Sequence, residues 1–198
     1  MTKTILVTGF EPFPGASINP TALLIARLPK RLPASIGEVR FHFARLPTTW
    51  AARHSVTDKL RRTLQPAAII HFGVDGSRRG INVETRAVNC ATRVKPDAVG
   101  EHASLPHLNS NGPSSRSSTL PVRTLREAAS RSGAPVSLSR DAGTYLCNAT
   151  LWDSIGSGIP SVFVHVPPLP RGRFDKRPCL QQVEAAAVQI LREIARRI

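Results

Sequence analysis

Acidic residues are scarce in this chain. Thirteen Asp and Glu stand against 27 Lys and Arg over 198 residues, a formal net charge of +14. Such an excess invites a nucleic-acid reading, but aromatics are also few, with one Tyr and two Trp. No basic stripe interleaves with them, and neither a helix-turn-helix nor an RNA-binding signature occurs, so no specific nucleic-acid partner is expected. The arginines are scattered instead, in pairs such as Arg61-Arg62, Arg78-Arg79 and Arg196-Arg197. They read as a solubilising surface with a weak attraction for polyanions. No apolar run approaches the roughly 18 residues of a membrane helix, which excludes a spanning protein of that kind. The start, Met1-Thr2-Lys3-Thr4, leads into a short strand and lacks the apolar stretch of a signal peptide. Three cysteines (Cys90, Cys147 and Cys179) are odd in number and have no paired or metal-type spacing. Neither a disulfide framework nor a metal site is therefore expected, and a cytoplasmic, reducing setting fits.

What remains is a chain of globular composition, 41% hydrophobic and 20% charged, long enough to bury one proper core. Strands and helices alternate along it. Apolar runs at 4–8, 67–72 and 161–166 read as buried strands, and the alternating stretch 39–46 as a less buried one. Asn19 followed by Pro20 marks a helix start. Helical spacing runs through 49–64, 120–132, 147–154 and 180–198, and 135–139 is a short strand. A hairpin-like segment is expected at 80–94 and a polar, mobile loop at 97–119. The pattern predicts a single-domain α/β/α sandwich, residues 1–198, around a mixed, mostly parallel central sheet.

One thiol stands out. Cys147 follows a glycine turn, Asp141-Ala142-Gly143, and opens an amphipathic run. There the free N–H groups and dipole of a helix start favour a thiolate and could stabilise an oxyanion, Asn148 included. His165 lies near the end of the 161–166 strand, just before Pro167 and Pro168. Strand ends are where α/β sheets carry their sites, and a thiol with an imidazole is the core of a cysteine hydrolase. Taken alone, a lone cysteine and a strand histidine are more often buried structural residues. His71 is the rival base, because it also lies near the end of an apolar strand.

Motifs spread over nearly the whole chain tip that balance. The opening Ile5-Leu6-Val7-Thr8-Gly9-Phe10-Glu11-Pro12-Phe13, with Gly15 and Asn19-Pro20, comes first. Leu46-Pro47-Thr48 follows, then Gly73, Gly76, Arg78, Ile81, Glu84, Ala87 and Asn89 in spaced order, Gly112-Pro113, and Ser118-Thr119-Leu120-Pro121. The set ends with Asp141 to Asn148 and His165-Val166-Pro167. It resembles the pyroglutamyl peptidase I (pyrrolidone-carboxyl peptidase) family of cysteine peptidases. The resemblance implies Cys147 as nucleophile, His165 as base and Glu84 as the acidic third member; Asp141 is the alternative acid, although its position before Ala142-Gly143 suggests a turn. It implies that Phe10 and Phe13 sandwich a flat pyrrolidone ring, that Asn19 and Thr48 belong to the substrate site, and that backbone groups of Tyr145 and Leu146 bind the lactam. A pyroglutamyl peptide substrate, no cofactor and a homo-oligomer (dimer or tetramer) follow from it as expectations.

The chain also departs from that pattern. The proline usually before the glutamate and the arginine after it are here Val83 and Thr85, with Arg86 displaced by one. Val74 stands where a glutamine is common, and Lys95 replaces an apolar residue near the expected pocket. Two rivals stay open at this point: a divergent hydrolase of another small lactam or amide, and a non-catalytic binding protein of the same fold.

Overall fold

The computed structural model describes residues 2–14 and 16–198; Met1 and Gly15 (the latter part of the expected N-terminal signature) lie outside the described residues. The first apolar run forms β1 (Lys3–Phe10), and Asn19 then caps α1 (Pro20–Arg27) by accepting the Thr21 N–H at 3.0 Å. A two-residue β2 (Ser35–Ile36) precedes β3 (Val39–Leu46). The helix expected at 49–64 begins later, with a π-helical turn at Arg53–Thr57 that runs into α2 (Asp58–Leu64). Next come β4 (Ala68–Val74), β5 (Ile81–Glu84), β6 (Arg86–Val88), β7 (Ser115–Ser117), α3 (Val122–Ser130) and β8 (Val136–Ser139). The chain closes with α4 (Leu146–Gly156), β9 (Ser161–Val166) and α5 (Leu180–Ala195).

Seven strands make one sheet in the order β2-β3-β1-β4-β9-β5-β8. Four of its pairings are parallel and two, β2 with β3 and β5 with β9, are antiparallel. The period-two alternation of the strands sorts their side chains between two layers. Ile5, Val7, Ile70, Phe72, Val83, Val162 and Val164 pack with α1, α3 and α5. The intervening positions face α2 and α4, where Phe10, Leu46, Leu151, Trp152 and Phe163 form a second cluster. His71, His165 and Glu84 belong to that second face by the same alternation, and this is the decision that gathers the site.

Two expectations are corrected here. The segment 80–94 is not a hairpin: β5 joins the main sheet between β9 and β8, and β6 leaves it to pair with β7 in a separate ribbon. Thr85, at the turn-out point, donates both its N–H and its hydroxyl to the Ser139 carbonyl, at 2.7 and 2.8 Å. The segment 97–119 is not an unstructured loop throughout, because its last part is β7. Its start is anchored by Asp97, whose carboxylate accepts the N–H groups of Trp50, Val99 and Glu101 at 2.9 Å each. Those donors outweigh burial and hold the Asp97 carboxyl below the usual range.

Candidate active site

Gly143 bends the chain ahead of α4. It adopts φ +73°, a left-handed conformation that favours glycine, and its N–H reaches the Asp141 Oδ1 at 2.9 Å. Asp141 is thereby a turn former, and it is exposed; it does not substitute for Glu84. Tyr145 is the N-cap of α4, with no side-chain cap. Ala149 makes the first closing bond, to the Tyr145 carbonyl at 3.0 Å. The N–H groups of Leu146, Cys147 and Asn148 precede that bond and point out of the helix start. Cys147, second residue of the helix and half-buried, sits among them.

Across from it, the register pairs Gly73 of β4 with His165 of β9. A methyl group on Gly73 would come within 2.9 Å of the Cys147 sulfur and 2.5 Å of the Phe163 ring. Only a bare backbone leaves room for the sulfur beside the histidine. His165 is 2% exposed. Its Nδ1 lies 2.9 Å from Glu84 Oε1, and the ring interacts with the Cys147 sulfur. Burial works against a charged imidazole, but the Cys147 sulfur and the Glu84 carboxylate outweigh it and raise the pKa to about 9. The raised pKa favours the imidazolium form of His165.

Glu84 is fully buried, and its surroundings are asymmetric. Oε1 meets His165 and lies 3.6 Å from Arg78 Nη2, whereas Oε2 is buried with no hydrogen-bond partner among the described residues. Arg78 is itself held by Asp75 Oδ2 at 2.9 Å and the Asp141 carbonyl at 2.6 Å. Arg86 donates to the Arg140 carbonyl at 3.0 Å. His71, the rival base, is fully buried between the Thr8 hydroxyl at 2.6 Å and the Ser154 hydroxyl at 2.8 Å. Burial, reinforced by nearby Arg61, lowers its pKa to about 3, so the ring is neutral and structural.

The remaining expected residues divide by depth. Phe10 ends β1, 5% exposed, and its ring lies 6.3 Å from that of Phe163. Phe13 is half-buried on the following loop. Asn19 Nδ2 and Thr48 Oγ1 both donate to the Glu11 carbonyl, at 3.2 and 3.0 Å, so these two side chains fix the loop that carries the phenylalanines. Tyr145 donates its hydroxyl to the Pro96 carbonyl at 2.8 Å and meets Trp50 edge-on, ring centroids 5.6 Å apart. Burial, then Asp97 and Cys147, raises its pKa to about 12, so it stays neutral. The side chain of Leu146 is buried in the second cluster, which leaves its backbone for any ligand contact. Asn148 is corrected: its amide is spent on the Val88 N–H, the Val88 carbonyl and the Cys90 carbonyl, at 2.8, 2.8 and 3.1 Å. It fastens the β6 segment to α4, and only its backbone N–H remains for an oxyanion.

Phe163 escaped the sequence reading. It contacts Phe10, His71 and His165, the last with ring centroids 4.7 Å apart, and forms the floor beneath the histidine. Nothing in an apolar strand distinguishes it from any core phenylalanine. Trp50 was missed for the same reason, being one aromatic at the start of a polar turn.

Comparison with known proteins shows the family. The family model described as pyroglutamyl peptidase matches residues 3–197. The pyrrolidone-carboxylate peptidase of Pyrococcus furiosus is 33% identical over 179 residues, covering 87% of this chain and 84% of the relative. That of Escherichia fergusonii is 32% identical over 174 residues, covering 85% and 80%. The solved structure of Bacillus amyloliquefaciens pyroglutamyl peptidase I superposes with a TM-score of 0.85 at 27% identity, covering 98% of this chain and 97% of that one. A thiol at a helix start, beside an imidazole that leans on a buried carboxylate, therefore stands in a chain that belongs to the pyroglutamyl peptidase family of cysteine peptidases.

Proposed function

We propose that this chain, acting as one domain over residues 1–198, is a cysteine exopeptidase that removes N-terminal pyroglutamate from peptides through a Cys147-His165-Glu84 triad. The observation that carries the reading is the line of interactions from the half-buried Cys147 sulfur through His165 to the buried Glu84 carboxylate. The lactam ring enters the slot formed by Phe10 and Phe13, whose apolar faces suit a neutral ring, and the backbone of Tyr145 and Leu146 binds its polar edge. Asn19 and Thr48 serve the same slot by fixing the Glu11 carbonyl. The Cys147 thiolate attacks the carbonyl that joins pyroglutamate to the next residue. The oxyanion of the tetrahedral intermediate is met by the free N–H groups at the start of α4. His165 gives its proton to the leaving amine as the C–N bond breaks, and a thioester remains. The neutral imidazole then takes a proton from water, whose oxygen displaces the thiolate and releases pyroglutamate. Glu84 holds the imidazole in one tautomer and stabilises its charged form. We place the enzyme in the cytoplasm, as a dimer or tetramer, on the strength of the family likeness. Among the described residues no helix is long and apolar enough to cross a membrane.

The test is a set of fluorogenic amides. A pyroglutamyl amide is cleaved, whereas glutamyl, glutaminyl and prolyl amides are not. Each of those three brings an ammonium whose desolvation in an apolar slot goes uncompensated, at a cost on the order of several kcal/mol. Phe13→Ala weakens the selection for pyroglutamate while leaving Cys147 reactive toward iodoacetamide. Absence of turnover of any pyroglutamyl substrate between about pH 6 and 9, the range of a thiol–imidazole pair, defeats the assignment. Fast alkylation of Cys147 would then point to a hydrolase of another small amide, and lost reactivity to a non-catalytic protein.

A further inference from the structure

Lys95 is exposed, yet its ammonium is not free in solvent. Nζ lies 4.5 Å from the centre of the Tyr145 ring and 5.4 Å from that of Phe13. Both distances are in the range where an aromatic face attracts a cation. The two rings come from different segments, the loop after β1 and the cap of α4, so the ammonium bridges two residues of the proposed substrate slot. Among the described residues no carboxylate pairs with it. The nearest in sequence, Asp97, spends its oxygens on the N–H groups of Trp50, Val99 and Glu101. A cation with three donors and no anionic partner therefore stands at the mouth of the site.

Depth decides what it meets. Phe10 is 5% exposed and packs on the floor residue Phe163, whereas Phe13 is half-buried and Lys95 exposed. The aromatic slot thus runs from a buried inner end to an open rim. An acyl ring entering first fills the inner end, and the peptide beyond the scissile bond trails outward past Lys95. On the proposed activity, we infer that Lys95 is a specificity-determining residue that selects pyroglutamyl peptides with an acidic residue directly after the pyroglutamate. A carboxylate there gains an ammonium already positioned by two rings, while a lysine or arginine is repelled. The net charge of +14 acts in the same direction by drawing acidic peptides toward the surface.

The experiment compares three matched peptides, pyroglutamate followed by Glu, Ala or Lys, with each residue amidated at its C-terminus. The wild-type enzyme cleaves the Glu peptide with a kcat/KM roughly fivefold above that of the Lys peptide at low ionic strength, mainly through KM, as suits a part-exposed charge pair. Added salt shrinks the ratio. Lys95→Met brings it near one and leaves kcat for the Ala peptide unchanged; Lys95→Glu inverts it. A ratio near one in the wild type, or one that Lys95→Met does not alter, overturns the role of Lys95 while cleavage of the Ala peptide upholds the peptidase reading. Failure to cleave any of the three removes that reading and this inference together.

Discussion

Replacing Glu84 by Gln keeps the shape of the side chain and removes its charge. In the structure that charge is fully buried, 2.9 Å from the imidazole, and it shares with the Cys147 sulfur the work of raising His165 from 6.5 to about 9 against burial. A rise of that size corresponds to a preference for imidazolium on the order of 3 kcal/mol. The carboxylate supplies part of that preference, so its loss lowers the histidine pKa. Arg78 pushes the same way. Its guanidinium, 3.6 Å from Glu84 Oε1, faces the imidazolium with only Asp75 to offset it once the Glu84 carboxylate is gone. The sign for activity follows from the proton: His165 must carry it to give it to the leaving amine. The rate of the wild-type enzyme accordingly falls as pH rises through about 9. In Glu84→Gln that alkaline limb moves to lower pH, and kcat at pH 8 drops about tenfold or more. The assay is the pH profile of kcat on a pyroglutamyl amide, with circular dichroism to establish that the variant is folded. A folded variant with unchanged rate and an unmoved alkaline limb refutes the role given to Glu84.

Two further predictions probe the nucleophile. Iodoacetamide at neutral pH labels Cys147 ahead of Cys90 and Cys179, although Cys90 is the most exposed of the three free thiols. Equal labelling, or activity in Cys147→Ser, would show that the helix start does not activate this sulfur; mass spectrometry of the alkylated peptides decides it. Gly73→Ala puts a methyl group 2.9 Å from the sulfur and 2.5 Å from Phe163. The sulfur and the ring are displaced, so kcat falls by about tenfold or more, with a stability loss of roughly 1–3 kcal/mol from overpacking. Full activity in that variant would mean that the close approach of β4 to Cys147 has no catalytic weight.

Much of the site could be read from the chain because its parts have local causes. The Asp141-Ala142-Gly143 turn demands a residue tolerant of positive φ, and Gly143 supplies it. Asn19 and Pro20 announce a helix start that the structure reproduces, cap bond included. The buried strands were legible from unbroken apolar runs, and β3 from its alternation. The late start of the helix after Thr49 was not, because a π-helical turn has no sequence mark of its own. The departures Val83 and Thr85 also become intelligible only in place: Val83 is core, and Thr85 turns the chain out of the sheet.

What the amino-acid order determined by itself was the set of elements outside 80–119, the placing of a thiol at a helix start, and the period-two rhythm that puts His71 and His165 on one kind of face. Tertiary structure decided which of them meet. β5 enters antiparallel to β9, so Glu84 lies diagonal to His165 and reaches its ring. His71, equally well placed in its own strand, is locked instead between Thr8 and Ser154. The Asn148 side chain is consumed by β6, while Lys95, expected near the pocket, lies across the rings of Tyr145 and Phe13. The reason is the range of the forces. Turns, caps and periodicity arise between near neighbours in the chain, whereas strand register and helix docking bring together residues 81 positions apart, as Glu84 and His165 are. No local pattern encodes which of several equivalent partners such a pairing will choose.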